Sequence, residues 1–344
     1  MLALAAMALA APLGAQAQQV TKIEVPASKK WQHAHTGLIV PQTLGGLART
    51  GITDSSNNEL DVAVQFGDPN LTHVTLYLFR PALMSVPMWF DRIETQIRHG
   101  DVFGDAVPTT DTLAFVPPKA SAAAALRRVY KPGKASFSAT GAAVLPLGEW
   151  LVAIRLSSST LDPAALDAKL TEVVTGLQWP APKAEAAETP AAAPIQACAS
   201  PLAYSDKAKL KKPDMTMALI GAALVNAAQN SELKKTVENA GPANFCREGS
   251  GEREFAAYRA LPLQGDSYLI AIADAGRTIS VQPALQLDEK RPGYSVTVND
   301  LANSYIYPPF DKLPAPARVM EAIGKTRPIS STTRSGKDIT INAQ

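Results

Sequence analysis

Two histidines, His33 and His35, are the side chains whose spacing most directly suggests chemistry. In an extended segment, residues two apart project from the same face, so both imidazoles could share one metal ion. His73 or His99 could complete such a site. Two histidines do not define a zinc or copper site, and an exposed pair near the start of the folded chain is the alternative interpretation. The sequence therefore gives metal binding at this pair as a hypothesis.

Two cysteines, Cys198 and Cys246, are the next candidates for chemistry, and both lie in the second half of the chain. In an oxidising compartment such a pair tends to close into a disulfide. A metal site would need clustered ligands such as Cys-x-x-Cys. A cysteine nucleophile would need its base from elsewhere, because no histidine follows His99. The sequence therefore predicts a disulfide.

Four charged side chains share one predicted helix and include a possible catalytic pair of carboxylates. Asp91, Arg92, Glu94 and Arg98 lie opposite apolar positions such as Phe90. The carboxylates of glycosidases flank a bond across a cleft, a geometry that neighbours on one helix rarely supply. We therefore predict that these charged residues form a solvated helix face.

The segment 247–251 (REGSG) resembles a nucleophile or phosphate loop only superficially. It matches neither G-x-S-x-G nor G-x-G-x-x-G, and no Walker lysine follows. The pattern is typical of a flexible charged loop. We find no catalytic constellation and predict no cofactor.

The segment 305–310 (YIYPPF) is the strongest candidate for a partner surface. Clustered aromatic residues beside prolines can present a rigid apolar face to another protein, which makes Tyr305, Tyr307 and Phe310 candidate contact residues. The alternative is a strand that ends in a packed turn. The sequence leaves both interpretations open.

The first seventeen residues predict export. Segment 1–17 has no charged side chain, an apolar run and a small-residue ending before Gln18, which is typical of a secretory signal peptide with its cleavage site. Ten apolar residues would reach only about 15 Å as a helix, against a bilayer core of about 30 Å. We therefore expect a periplasmic or secreted protein without a stable transmembrane segment once the signal is removed.

Composition and one biased segment predict the domain organisation. A chain of 344 residues exceeds what one core usually serves. The segment 180–197 is rich in proline and alanine, which is typical of a semi-rigid linker. We predict one domain over 18–179 and another over 198–344. The net charge of +2 excludes a general nucleic-acid binder, which would be strongly basic.

Hydrophobic periodicity predicts both strands and helices in each half. Alternating residues predict strands at 60–66 and 73–79, and further strands at 150–156, 268–273, 278–285, 294–298 and 339–341. Helical spacing predicts helices beginning near Ser85 and Asp162, and others at 215–228, 231–240 and 317–323. We therefore predict the α+β class, with each domain an antiparallel sheet with packed helices.

The segments GLIVP at 37–41 and LGGL at 44–47 open the first half, ahead of these elements. In this opening and in the order of its elements, the first half resembles the PsbP-like domains of photosynthetic lumens. The resemblance implies an α/β accessory or assembly module without catalysis. It carries over no site residue, since fold analogy does not establish function.

These observations favour a non-enzymatic function. We predict an exported binding or envelope-accessory protein, whose partner is an envelope protein or a ligand of unknown identity. An exported hydrolase with its site at the domain interface is the alternative, and it would combine an Asp or Glu with a histidine of the first half. Weak metal binding through His33 and His35 is a third hypothesis.

Overall fold

The fold is built mainly from β-strands. The structure, a computed structural model, describes residues 20–181, 190–212, 244–263, 265–284, 293–334 and 338–341. Within these ranges 40% of residues are in strands and 14% in helices. The strands of the first half are β1 (Thr21–Lys22), β2 (Trp31–Gln32), β3 (Ile39–Val40), β4 (Thr43–Leu44), β5 (Leu47–Asp54), β6 (Asp61–Gly67), β7 (Thr72–Phe79), β8 (Val107–Pro108), β9 (Leu113–Phe115), β10 (Ala125–Lys131), β11 (Ala139–Leu147) and β12 (Trp150–Ser158).

The second half contributes nine further described strands, and the two halves together contribute three described helices. The strands are β13 (Gln196–Ala197), β14 (Phe245–Glu248), β15 (Phe255–Ala260), β16 (Tyr268–Ile272), β17 (Arg277–Pro283), β18 (Tyr294–Asn299), β19 (Asn303–Phe310), β20 (Ser330–Thr333) and β21 (Ile339–Ile341). The helices are α1 (Val86–His99), α2 (Pro163–Gly176) and α3 (Pro316–Lys325).

Two large sheets organise these strands. The first sheet is antiparallel with the order β1-β5-β6-β7-β12-β11-β10-β8, and β4 and β9 pair with β5 and β10. The second sheet runs from β13 to β21 in chain order, and only its first pair, β13 with β14, is parallel. A separate ladder joins β2 and β3. Nearly every strand thus pairs with a neighbour in sequence, as in meanders and hairpins.

Helices α1 and α2 begin where their capping residues predict and cover opposite faces of the first sheet. The Ser85 hydroxyl accepts from Met88 N at 3.3 Å, and the Asp162 carboxylate accepts from Ala165 N at 2.8 Å. Each helix has a proline in its first turn. The α2 side chains Leu166, Leu170, Val173 and Val174 join the core on one face of the sheet, whereas Met88, Trp89, Phe90, Ile93 and Ile97 of α1 join the core on the other face.

Helix α1 also packs against the second sheet, so it lies between the two halves. Its core cluster includes Ala256 and Tyr258 of β15 and Ala271 of β16. The Asp91 carboxylate accepts from Arg247 Nη1 at 2.5 Å and from the Tyr258 hydroxyl at 2.6 Å. The buried carboxylate of Asp91 is therefore satisfied by groups of the opposite half of the chain.

Arg92 makes the densest set of these contacts. Its side chain is fully buried, and its guanidinium donates to the carbonyl oxygens of Glu252, Arg253 and Ala273, each at 2.7 Å. Gln96 donates to the same Arg253 carbonyl at 2.6 Å. A planar guanidinium can serve several acceptors in fixed directions, which a lysine cannot do. Arg92 thus ties the chain around residues 252–273 to α1.

The prediction that the charged residues of α1 form a solvated face is therefore wrong for two of the four. Asp91 and Arg92 are buried because the second sheet covers the side of α1 that faces away from the first sheet. Glu94 is half-buried and accepts from Tyr130 and Arg128 of β10, whereas Arg98 is exposed. Segment 247–251 includes Arg247 and Glu248 of β14, so it is a loop only in part.

The predicted α+β class is also wrong, because the described residues are mostly β, with three sheets and only three helices. Strand β11 shows why sequence patterns underestimated the strands. Its first seven residues are all buried, since α1 contacts one of its faces and α2 the other. A strand buried on both faces shows no alternation of apolar and polar residues.

Several individual predictions are confirmed. Strands β6, β7, β12 and β16 to β18 lie where alternation placed them, as do α1, α2 and the short helix α3. Strands β16 and β17 pair directly as an antiparallel hairpin. The disulfide between Cys198 and Cys246 is present, and it is consistent with an oxidising compartment. The predicted helices at 215–228 and 231–240 lie outside the described residues.

A cluster of carboxylates gathers where the two halves meet. Burial raises the pKa of Asp61 in β6 to about 6; Arg277 opposes this shift, and Asp54, Asp274 and Asp300 add to it. Arg277 donates from Nε to Asp300 at 2.7 Å. The charged form of Asp61 therefore destabilises the folded chain at neutral pH.

We expect substitution of Arg92 by methionine to lower the free energy of unfolding by about 3 kcal/mol or more. The change removes the buried donor to the carbonyl groups of Glu252 and Ala273 and one of the two side-chain donors to the carbonyl of Arg253. Urea unfolding followed by tryptophan fluorescence measures the effect. Arg98→Met, on the exposed end of the same helix, is the control and should change stability by less than about 0.5 kcal/mol. Equal effects of the two substitutions would contradict the role assigned to Arg92.

We expect Asp61→Asn to remove a pH dependence of stability. The folded-state pKa of Asp61 is raised from 3.8 to about 6, so its carboxyl favours folding below pH 4, and this contribution is lost as pH rises to 6. The free energy of unfolding of the variant minus that of the original chain should be up to about 3 kcal/mol larger at pH 7.5 than at pH 3.5. Urea unfolding at both pH values measures this, with the exposed Asp111→Asn as control. An equal difference at both pH values would exclude the raised pKa.

Candidate functional site

An open pocket lies beside one of the two histidines singled out from the sequence. Its volume is about 550 Å³, and we call it the His35 pocket. The wall is formed by residues in and just after β1, by the turn after β2, by the end of β5 and by the connection between β5 and β6. The lining residues are Thr21, Ile23, Ala34, His35, Asp54, Asn57, Asn58 and Glu59.

The buried carboxylate of Asp54 holds the loop that carries three of these residues. Its Oδ1 accepts from the backbone N and the hydroxyl of Ser56 at 2.8 and 2.6 Å, and its Oδ2 accepts from Glu59 N at 2.7 Å. Asn57 and Glu59 adopt the left-handed conformation with φ of 62° and 57°. Asparagine tolerates this region, whereas glutamate rarely adopts it. The carboxylate of Asp54 thus fixes a loop conformation that the chain would not favour alone.

A cluster of aromatic rings packs behind the His35 side of the pocket. The His33 ring lies 5.6 Å from the Trp31 ring and 4.7 Å from the Trp150 ring, measured between centroids. The exposed His35 ring stacks on Trp150 at 5.4 Å with an angle of 20° between the planes. Trp31 and Trp150 both belong to the core of the first sheet. The His35 ring is therefore seated on a rigid surface.

His33 is a structural member of this stack. Its Nδ1 lies 2.9 Å from Thr36 Oγ1 and its Nε2 lies 2.8 Å from the Glu59 carbonyl oxygen. Burial lowers the pKa of His33, and the nearby charges of Glu59 and Asp54 act against that shift. Since a carbonyl only accepts, the neutral ring carries its proton on Nε2. A metal ion at His33 would have to displace one of these two contacts.

His35 is oriented in the same way but faces solvent. Its Nε2 lies 2.9 Å from the Asn58 carbonyl oxygen, so Nε2 carries the proton in the neutral ring. Its Nδ1 then has a lone pair, and no described residue donates a hydrogen bond to it. The pocket wall thus includes one acceptor nitrogen on a fixed ring.

The remaining histidines do not join this site. His73 lies in β7, where its ring packs 5.6 Å from Phe137 and burial lowers its pKa. His99 ends α1. Across the part of the chain that the structure describes, no group of three or more His, Cys, Asp or Glu side chains is placed to hold a metal ion. Metal binding through His33 and His35 stays a prediction.

The aromatic segment proposed as a partner surface is largely built into β19. Phe310 is fully buried in the core of the second half, and Tyr307 packs against that core. Tyr305 is half-buried on the same strand. Alternate residues of β19 are buried, which fits the interpretation of a packed strand. A partner role for Tyr305, Tyr307 and Phe310 stays a prediction.

Most of the pocket residues carry no signal in the sequence that marks them as a site. Asp54, Asn57, Asn58 and Glu59 were not singled out, although the run of Ser and Asn at 55–58 between two apolar segments is a recognisable turn signal. Only the fold brings this loop beside His35, because β5 and the segment after β2 are separated in sequence.

Comparison of the chain with protein-family models, with curated proteins and with solved structures finds no match. The resemblance of the first half to PsbP-like domains therefore stays a prediction. Within the described ranges, no helix has both the length and the apolar character needed to cross a membrane.

Proposed function

We propose that this chain is an exported, non-enzymatic binding protein that takes a small ligand in the His35 pocket. The observation that carries the proposal is a concave site with several polar groups held in fixed positions. Ligand sites in proteins are usually concave, largely preformed and supplied with a few oriented polar groups. The proposed compartment is the periplasm or the extracellular medium, which the predicted signal peptide and the disulfide both support.

Two features support a site that is formed before the ligand arrives. The Asp54 carboxylate fixes the loop that carries Asn57, Asn58 and Glu59. The stack on Trp150 fixes the His35 ring. A preorganised site binds more tightly because less conformational freedom is lost on binding.

Binding accounts for the described groups better than the hydrolase alternative. Both oxygens of Asp54 are committed to loop hydrogen bonds, and one oxygen of Glu59 accepts from Ala34 N at 3.0 Å. Between the two halves, the carboxylate of Asp91 is likewise held by Arg247 and Tyr258. A general base must reach the proton it abstracts. The carboxylates of Asp54 and Asp91 instead hold the structure.

We expect Ala34→Trp to weaken ligand binding at least about tenfold, which corresponds to 1.4 kcal/mol. Ala34 is exposed and lines the pocket, so a tryptophan there fills the space without entering the core. Hits are first found by ligand-observed NMR with a library of sugars, amino acids, amines and carboxylic acids. Their dissociation constants are then measured by calorimetry for both proteins.

Ala168→Trp is the matched control for this experiment. Ala168 is exposed on α2, away from the pocket lining, so the same substitution there should leave the affinity unchanged. If no library member binds, or if Ala34→Trp binds every hit as tightly as the original chain, the His35 pocket is not the ligand site.

A further inference from the structure

The charge of the His35 pocket indicates what kind of ligand fits it. Its lining contains two carboxylates, Asp54 and Glu59, and neither lysine nor arginine. Neither carboxylate forms an ion pair with any described residue; Lys22, next to Thr21 in sequence, pairs instead with Glu24 at 2.9 Å. From this cavity and its charge, we infer that the ligand is a small organic ammonium ion. The inference rests on the proposed function of the pocket.

The pocket residues leave several acceptor atoms unused by the described chain, beside the amide donors of Asn57 and Asn58. Glu59 Oε2 accepts from Ala34 N, and Oε1 accepts from no described residue. The neutral His35 ring has an acceptor at Nδ1, and the side-chain amide of Asn58 makes no hydrogen bond to the described chain. A primary ammonium carries three donors and no acceptor. The N–H donors of an ammonium group therefore match the acceptor atoms that this pocket leaves unused.

The rest of the lining suits the carbon part of such a ligand. Ile23 and Ala34 supply apolar contacts, and the exposed face of His35 supplies a flat ring backed by Trp150. Small-ligand sites combine apolar walls with a few directed polar groups in this way. An organic cation uses both kinds of contact, whereas a bare inorganic cation uses only the polar ones.

A divalent metal ion fits the same groups poorly. Calcium takes six to eight oxygen ligands, and both oxygens of Asp54 already accept from Ser56 and Glu59. No described cluster of three or more His, Cys, Asp or Glu side chains is arranged for a metal. An ammonium needs only the free carboxylate oxygen of Glu59 and neighbouring acceptors.

Three probes of similar shape and different charge test the inference. Benzylamine, benzyl alcohol and benzoate are titrated separately into the full chain, with binding followed by calorimetry and by protein NMR. Benzylamine should bind at least about fivefold more tightly than benzyl alcohol, and benzoate should bind most weakly. The affinity for benzylamine should fall as sodium chloride rises from 20 to 300 mM, because salt screens the attraction between charges, with a Debye length of about 10 Å at 0.1 M.

Glu59→Gln isolates the charge. Glutamine keeps an acceptor for Ala34 N but removes the negative charge, so affinity for benzylamine should fall about fivefold while affinity for benzyl alcohol stays the same. Glu172→Gln, on the exposed face of α2, is the matched control and should change neither affinity. Circular dichroism of each variant confirms that the fold is kept.

The outcomes separate this inference from the proposed function. Equal or tighter binding of benzyl alcohol or benzoate overturns the ammonium assignment, as does benzylamine binding that Glu59→Gln leaves unchanged. If benzylamine fails to bind while other library hits are lost in Ala34→Trp, the pocket is a ligand site of another class. If the library gives no hit that Ala34→Trp weakens, both proposals fail together.

Discussion

Helix α1 packs between the two large sheets, and this packing holds the two halves of the chain together. Its apolar side chains fill the space against the first sheet, and Asp91 and Arg92 on its other side are buried under the second half. A buried charge is tolerated only when it is paired or fully hydrogen-bonded. Arg247 and Tyr258 meet that requirement for Asp91, and three carbonyl groups accept from Nε and Nη2 of Arg92, whose Nη1 has no partner among the described residues. The second half thus supplies the hydrogen-bond partners that allow the charged residues of α1 to be buried.

The proposed binding site and the contact between the halves share one short piece of chain. Strand β5 ends at Asp54, whose carboxylate shapes the pocket loop, and β6 begins at Asp61, whose carboxyl faces Arg277 of the other half. The backbone hydrogen bond from Ser55 N to Asp61 O closes the connection at 2.9 Å. A change of charge at either end of this loop therefore acts on the same short connection between β5 and β6. The pocket and the contact between the halves thus lie at the two ends of one connection, although different side chains form each of them.

The sequence predicted local elements better than their arrangement. Alternation found β6 and β7, and a capping serine and proline found the start of α1, because these signals depend on neighbours in sequence. Strand β11 was not predicted, because both of its faces are buried and its sequence shows no alternation. Asp91 and Arg92 were assigned to solvent because no local pattern reveals a second sheet. Only part of the candidate site could be predicted. His35 was a candidate because of its residue type, whereas Asp54 and Glu59 could be recognised as pocket residues only from the fold that brings them beside His35.

Whether the halves form one body through α1 is tested most directly by cutting the chain between them. A specific protease site inserted between residues 185 and 186 allows cleavage of the native protein, and the disulfide does not hold the products together because Cys198 and Cys246 both lie in the second half. Size-exclusion chromatography in native buffer then reports their association. If α1 joins the halves, the two fragments should elute together at the position of the uncut chain. Separate elution of two folded fragments would show that α1 does not hold the halves together.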